Sequence, residues 1–134
     1  MAQLEVADKN LKGAIESVAA AAVIEPNNPA IFFQLGFLLY NAKDFNTAIK
    51  SFAKSLELAP DYANSKYFLG LSLVQVGDVK NAITLFEDLK KTNPDSKEVD
   101  LILSNLKAGK TPFANAGTTT SPEKRSKPPV TQED

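Results

Sequence analysis

The sequence predicts an all-α protein, a solenoid of antiparallel helix pairs, and three observations carry that reading. Pro26, Pro60 and Pro94 fall 34 residues apart. Ala14, Ala48 and Ala82 recur at the same offset, as do Val18, Phe52 and Phe86, and Gly36 with Gly70. Between the prolines, apolar residues come at the i, i+3, i+4, i+7 spacing of an amphipathic helix. Self-similarity at a fixed period of this length is the signature of stacked helical repeats, each burying its apolar face against the next.

The elements follow in chain order. Residues 11–25 read as the second helix of a first, partial unit spanning about 1–28, with Lys9-Asn10-Leu11 aligned to the later turns Lys43-Asp44-Phe45 and Gly77-Asp78-Val79. Only Met1 to Asp8 remain for its partner helix, which is therefore truncated to about two turns. That leaves the apolar face of Leu11, Ile15, Val18 and Ala22 poorly covered. Solenoids protect their ends with polar caps, so the expectation is that the parent protein continues upstream. The first full unit, 29–62, has one stripe at Phe32, Leu35, Gly36 and Leu39 and a second at Phe45, Ala48, Ile49, Phe52 and Leu56. Pro60 stops its second helix, because proline lacks the N–H and disfavours helical geometry in the preceding residue. The second unit, 63–96, repeats this with Leu69, Gly70 and Leu73, then Val79, Ala82, Ile83, Phe86 and Leu89, then Pro94. A glycine inside a helix costs roughly 0.5–1 kcal/mol; close approach of paired helices at Gly36 and Gly70, opposite Ala48 and Ala82, explains why it is kept.

Asp95-Ser96 can cap a helix over 96–107 whose Val99, Ile102, Leu103 and Leu106 face the last repeat, while Lys97, Glu98, Asp100, Ser104, Asn105 and Lys107 face water. This closes a solenoid over 1–108. Residues 109–134 hold four of the eight prolines and, beyond Phe113 and Val130, no large apolar residue. Such a Pro/Thr-rich tail buries too little surface to offset its ordering entropy and is expected to be disordered. Its stretch Lys124-Arg125-Ser126-Lys127-Pro128-Pro129 reads first as a solvated tail and, as an alternative, as a contact for an anionic membrane surface or a polyproline-reading groove.

Phe32, Leu35-Gly36, Leu39, Ala48, Phe52, Ser55 and Pro60 together resemble the tetratricopeptide repeat (TPR) pattern, and so do Lys66, Leu69-Gly70, Leu73, Ala82, Phe86, Leu89 and Pro94. The departures are Lys66 for the aromatic, Leu for Tyr twice, and Ser55 and Leu89 for the second small residue. The match is close over 29–94 and weaker to about 1–108. It implies a right-handed TPR solenoid with two full repeats, a truncated N-terminal repeat and a C-terminal capping helix.

The resemblance also implies a concave groove lined by the first helix of each pair. By register its lining is Ala30, Phe33, Phe37, Tyr40 and Asn41, then Asn64, Tyr67, Leu71, Val74 and Gln75, with Glu98, Leu101 and Asn105 from the last helix. From Ala30 to Tyr40 the only polar side chain is Gln34. Packing within the repeat accounts for Phe32, Leu35 and Leu39 but leaves Phe33, Phe37 and Tyr40 as an exposed aromatic cluster, which suggests a contact surface. Three occupants fit it: an apolar or amphipathic segment of a protein or peptide partner, missing upstream chain, or a second copy in a homodimer. The first is the functional reading, a non-catalytic protein–protein interaction module. TPR domains that hold acidic chaperone tails use Lys, Arg and Asn where this chain has Phe33, Phe37, Tyr67 and Leu71, so no such binding is expected.

Composition narrows the remaining classes. With 15 Lys+Arg against 16 Asp+Glu, the chain lacks the basic excess of a nucleic-acid binder. It has no His and no Cys, hence neither the commonest general base nor a thiolate nucleophile or metal ligand. Asp95, Glu98 and Asp100 sit at a helix start, where the dipole favours acids without a metal. No phosphate-binding loop or dinucleotide fingerprint is present. No enzyme, metal, cofactor or small-molecule substrate is expected. Met1 to Asn10 lack the basic-then-apolar order of a secretory signal, and the chain reads as soluble, cytoplasmic by default. A less specific resemblance, over Asn105 to Val130, is to C-terminal soluble regions of bacterial multi-pass membrane proteins of the polysaccharide ligase or polymerase kind. It implies an accessory domain of a membrane-associated parent with upstream membrane segments.

Overall fold

A computed structural model describes residues 2–114, with side chains from Asn10 onward. The helices of this region are α1 (Ala2–Ile24), α2 (Pro29–Asn41), α3 (Phe45–Leu58), α4 (Ala63–Gln75), α5 (Val79–Thr92) and α6 (Lys97–Lys107). Each packs on its successor, and α2 also packs on α4, the first helix of the next pair. The connections are too short for anything but antiparallel neighbours, and the all-helical solenoid read from the sequence is the architecture observed.

Local chemistry sets the helix boundaries. Asn28 accepts a hydrogen bond from the Ala30 N–H at 3.0 Å, with Pro29 at the first helical position, where its missing N–H costs nothing. Asp44, Asp78 and Ser96 cap α3, α5 and α6 through the N–H groups of Thr47, Asn81 and Val99. Helices α2, α4 and α6 end alike. The residue after the cap turns left-handed, at Lys43 (φ 65°), Gly77 (φ 89°) and Gly109 (φ 77°). The next N–H reaches back to a carbonyl in the last turn: Asp44 to Leu39, Asp78 to Leu73, Lys110 to Asn105. This is the Schellman arrangement, which satisfies carbonyls that a helix end otherwise orphans.

The small residues at the crossings do what their positions imply. A Cβ built on Gly36 would lie 2.7 Å from the Phe52 ring, and one on Gly70 would lie 2.6 Å from the Phe86 ring. Phe52, Phe86, Ala48 and Ala82 are all fully buried. In α6, Val99, Ile102, Leu103 and Leu106 complete the core. Ser55, in the place of a small apolar residue, is also fully buried and shares a 2.7 Å hydroxyl–hydroxyl hydrogen bond with Ser65, joining α3 to α4.

Two expectations are corrected. No turn forms at Lys9-Asn10-Leu11, because α1 is one continuous helix from Ala2 to Ile24. The turns at 43 and 77 exist because a full-length first helix repays them by packing on the second. An eight-residue segment repays little, and a helix that short is marginal alone, so continuing the i→i−4 ladder is favoured. The tail, in turn, does not leave the fold at residue 109. Lys110 bonds back to α6, Pro112 is buried, and Phe113 packs against the core. The basic stretch at 124–129, with all of 115–134, lies outside the described residues.

Candidate interaction face

Helix α2 is apolar almost all round, and its inner row, Phe33, Phe37 and Tyr40, projects toward the second repeat. The structure supplies a partner that the register argument overlooked. Phe68, nearly fully buried on α4, sits 6.1 Å from Phe33, 5.1 Å edge-on from Phe37 and 5.5 Å edge-on from Tyr40, centroid to centroid. It also stacks near Phe52 and meets Tyr67 edge-on. Phe33 in addition stacks on Tyr62 at 5.5 Å. Edge-to-face and offset pairs of this kind add about 0.5–1.5 kcal/mol beyond the area they bury.

The aromatic row is therefore not the freely exposed cluster expected from the sequence. Phe33, Phe37 and Tyr40 are half-buried: besides Phe68, Phe33 lies against Phe52 and Tyr62, and Tyr40 meets Phe45 edge-on. The signal that could have revealed this is a break in the repeat: one period before Phe68 stands the exposed Gln34. One period after Phe68 stands the fully buried Ile102, so this position turns from polar surface to apolar interior after the first full repeat.

The remaining groove positions divide. Asn41 and Gln75, register equivalents at the ends of α2 and α4, are exposed, and Val74 is half-buried. Asn64, Tyr67 and Leu71 are a correction, since they are interior rather than lining. Tyr67 is fully enclosed, 5.6 Å edge-on from Phe86, and its hydroxyl donates to the Glu98 carboxylate on α6. Helix α6 packs on α5, and the Tyr67 hydroxyl ties α4 to α6 through Glu98. Asn105, also placed on the groove by register, is buried and bonded to the tail. Ala30 is exposed, and Glu98 and Leu101 are half-buried.

The candidate face is therefore the half-buried aromatic row of α2, with the exposed Asn41 and Gln75 at the ends of α2 and α4. Burial beside Phe33 pushes the Tyr62 phenol above its ordinary pKa, keeping it neutral. The cross-helix ion pairs, Lys90–Asp100 and Lys107–Glu87, lie on the outside of α5 and α6 and are exposed. Among the described residues no cluster of His, Cys, Asp or Glu is placed to hold a metal ion, and no helix is long and apolar enough to cross a membrane.

Comparison with known proteins agrees with this architecture. The tetratricopeptide repeat family model matches residues 39–106. A peroxisomal targeting signal receptor from Candida albicans (strain SC5314 / ATCC MYA-2876) is 29% identical over 76 residues, which is 57% of this chain and 13% of the receptor. The crystal structure of MamA protein superposes with a TM-score of 0.71 over 80% of this chain and 58% of that one, at 20% identity, a likeness of fold. This chain thus spans a minor share of the receptor and somewhat over half of the solved chain. The resemblance to membrane-protein C-terminal regions finds no support in these matches. With its family model covering half of the sequence, and with paired helices, glycine contacts and turns repeating in register, the chain belongs to the tetratricopeptide repeat family.

Proposed function

We propose that this chain binds an apolar or amphipathic segment of a protein partner along the strip formed by Phe33, Phe37 and Tyr40, with Asn41, Val74 and Gln75 at its edge. The tetratricopeptide repeat fold is in general a non-catalytic scaffold for protein–protein interaction. A relative that is itself named a receptor for a targeting signal is consistent with a protein as partner.

The observation that carries the reading is the half-burial of the aromatic row. Phe68 fixes the rings from one side, so their open edges are held in place before any partner arrives. Rings already ordered lose little conformational entropy on binding, and aromatic anchors of this kind dominate interface energetics. The strip carries no charge of its own, which suits an apolar segment, and Asn41 and Gln75 can hydrogen-bond at its rim. Helix-in-groove recognition has these requirements.

The test uses the exposed rim, so that folding is spared. Asn41→Glu with Gln75→Glu places two charges beside the strip without touching the core. Partner capture by the full chain should fall at least tenfold while the helical circular dichroism is unchanged. Undiminished capture by the folded double variant would remove the strip from consideration.

A further inference from the structure

The chain after α6 returns to the fold, and the manner of its return carries an assignment independent of the α2 strip. Gly109 ends the helix in a left-handed turn, and the backbone reverses so that Thr111 to Ala114 run back beside Asn105. The Asn105 side chain is 5% exposed. Its Nδ2 donates to the Pro112 carbonyl at 2.9 Å and to the Ala114 carbonyl at 2.8 Å. A side-chain amide has two N–H donors, and both are used on main-chain carbonyls two residues apart. Phe113 lies between them in sequence and sets its ring against the core cluster that contains Tyr67 and Leu71.

Such a grip reads main chain and one ring. It asks of its occupant a turn, closed here by the Ala114 N–H on the Thr111 carbonyl, that presents two carbonyls two residues apart with an aromatic side chain between them. Nothing in it depends on covalent connection to α6. Position 105 stands one period after Leu71 and two after Phe37, where the earlier repeats carry apolar residues. A segment meant only to plug the core would be met there by another apolar side chain, not by a buried amide with both donors turned to backbone. Phe113 itself is half-buried, and Lys110 and Thr111 are exposed.

We propose that Asn105 and the adjoining core surface form a peptide-binding site for a turn-forming segment with an aromatic residue after proline. In the isolated chain, residues 111–114 occupy it in cis. A partner segment of the same chemistry displaces them. A tether of a few residues gives the internal segment a millimolar-scale effective concentration, so a free peptide competes poorly until the strap is weakened.

The probe is a fluorescent peptide of this chain's own residues 110–116, followed by anisotropy against the full-length protein. The Phe113→Ser chain should bind it at least tenfold more tightly than the wild type. Adding Asn105→Ala to that chain should lose the gain, with helical circular dichroism retained throughout. Equal, weak binding by wild type and a folded Phe113→Ser chain would overturn the assignment. Should Phe113→Ser fail to fold, hydrogen exchange on the wild type decides. The Ala114 amide, bonded to the Thr111 carbonyl, should exchange at least tenfold faster than the amides of α6. Exchange of both through one common opening would make the strap a fixed part of the core and overturn the proposal.

Discussion

At Gly36 and Gly70 a single methyl group decides the helix crossing. Alanine would gain up to about 1 kcal/mol of helix propensity, but it sets a Cβ 2.6–2.7 Å from a buried phenylalanine ring. Overpacking of this kind costs about 1–3 kcal/mol, so Gly36→Ala and Gly70→Ala should each destabilise by about 1–2 kcal/mol in urea unfolding. Lys43 presents the opposite case, holding φ 65° with a side chain where Gly77 holds φ 89° without one. Lys43→Gly should stabilise by about 1 kcal/mol, and Gly77→Ala should destabilise by a similar amount although nothing crowds its Cβ. The Ser55–Ser65 bond predicts non-additivity: either serine to alanine leaves a buried hydroxyl alone, at about 1–3 kcal/mol, whereas removing both should cost less than the two single changes together. Tyr62 gives a pH signature. Its folded pKa is raised by burial, so above about pH 10 the unfolded chain loses the proton first. Stability is therefore full below that pH and falls as pH rises through the folded value, and Tyr62→Phe should make the alkaline fall in melting temperature shallower.

Among the elements, α2 to α6 were legible because their boundaries are written locally. Asn28-Pro29, Asp44, Asp78 and Ser96 each place a side-chain acceptor before an apolar stripe, and Pro60 and Pro94 close the second helices. Removing one such signal should cost what a cap costs: Ser96→Ala should lower stability by about 1 kcal/mol. Helix α1 was read incorrectly because its turn is decided by packing rather than by local residues. Lys9-Asn10-Leu11 resembles the turns at 43 and 77, but its backbone stays in the helix that runs from Ala2 to Ile24. Phe68 is hidden for a related reason: one period before it stands the exposed Gln34, so the first full repeat gives no hint of a buried aromatic there. Near the end of α1, Val23 and Ile24 are among the most exposed large apolar residues described. The register equivalents of Val23 are Glu57 and Lys91, so Val23→Lys should change stability by less than about 0.5 kcal/mol.

On the scale of the whole molecule, stability is a sum of repeats and their interfaces, and in this chain the junction between the two full repeats carries the aromatic contacts. The outer ion pairs between α5 and α6 are exposed and contribute little; raising the salt concentration should scarcely move the melting temperature. The candidate strip is half legible in the sequence. Its α2 residues follow from a helix too apolar for its own repeat, whereas the interior places of Asn64, Tyr67 and Leu71 depend on packing beyond α4, such as the Tyr67 bond to Glu98, which no pattern within α4 records. What the candidate strip offers is three half-buried aromatic rings held by their neighbours. The most direct test of its role is site-specific photo-crosslinking in cells, with the reactive group at the exposed Asn41 or Gln75 and, as controls, at the exposed Lys50 and Ala53 on α3. Adducts with a protein partner from positions 41 and 75, absent from 50 and 53 and reduced by Phe37→Ala, are the predicted result. Adducts that form from 50 and 53 but not from 41 and 75 would place the partner on the opposite helix layer and contradict the account.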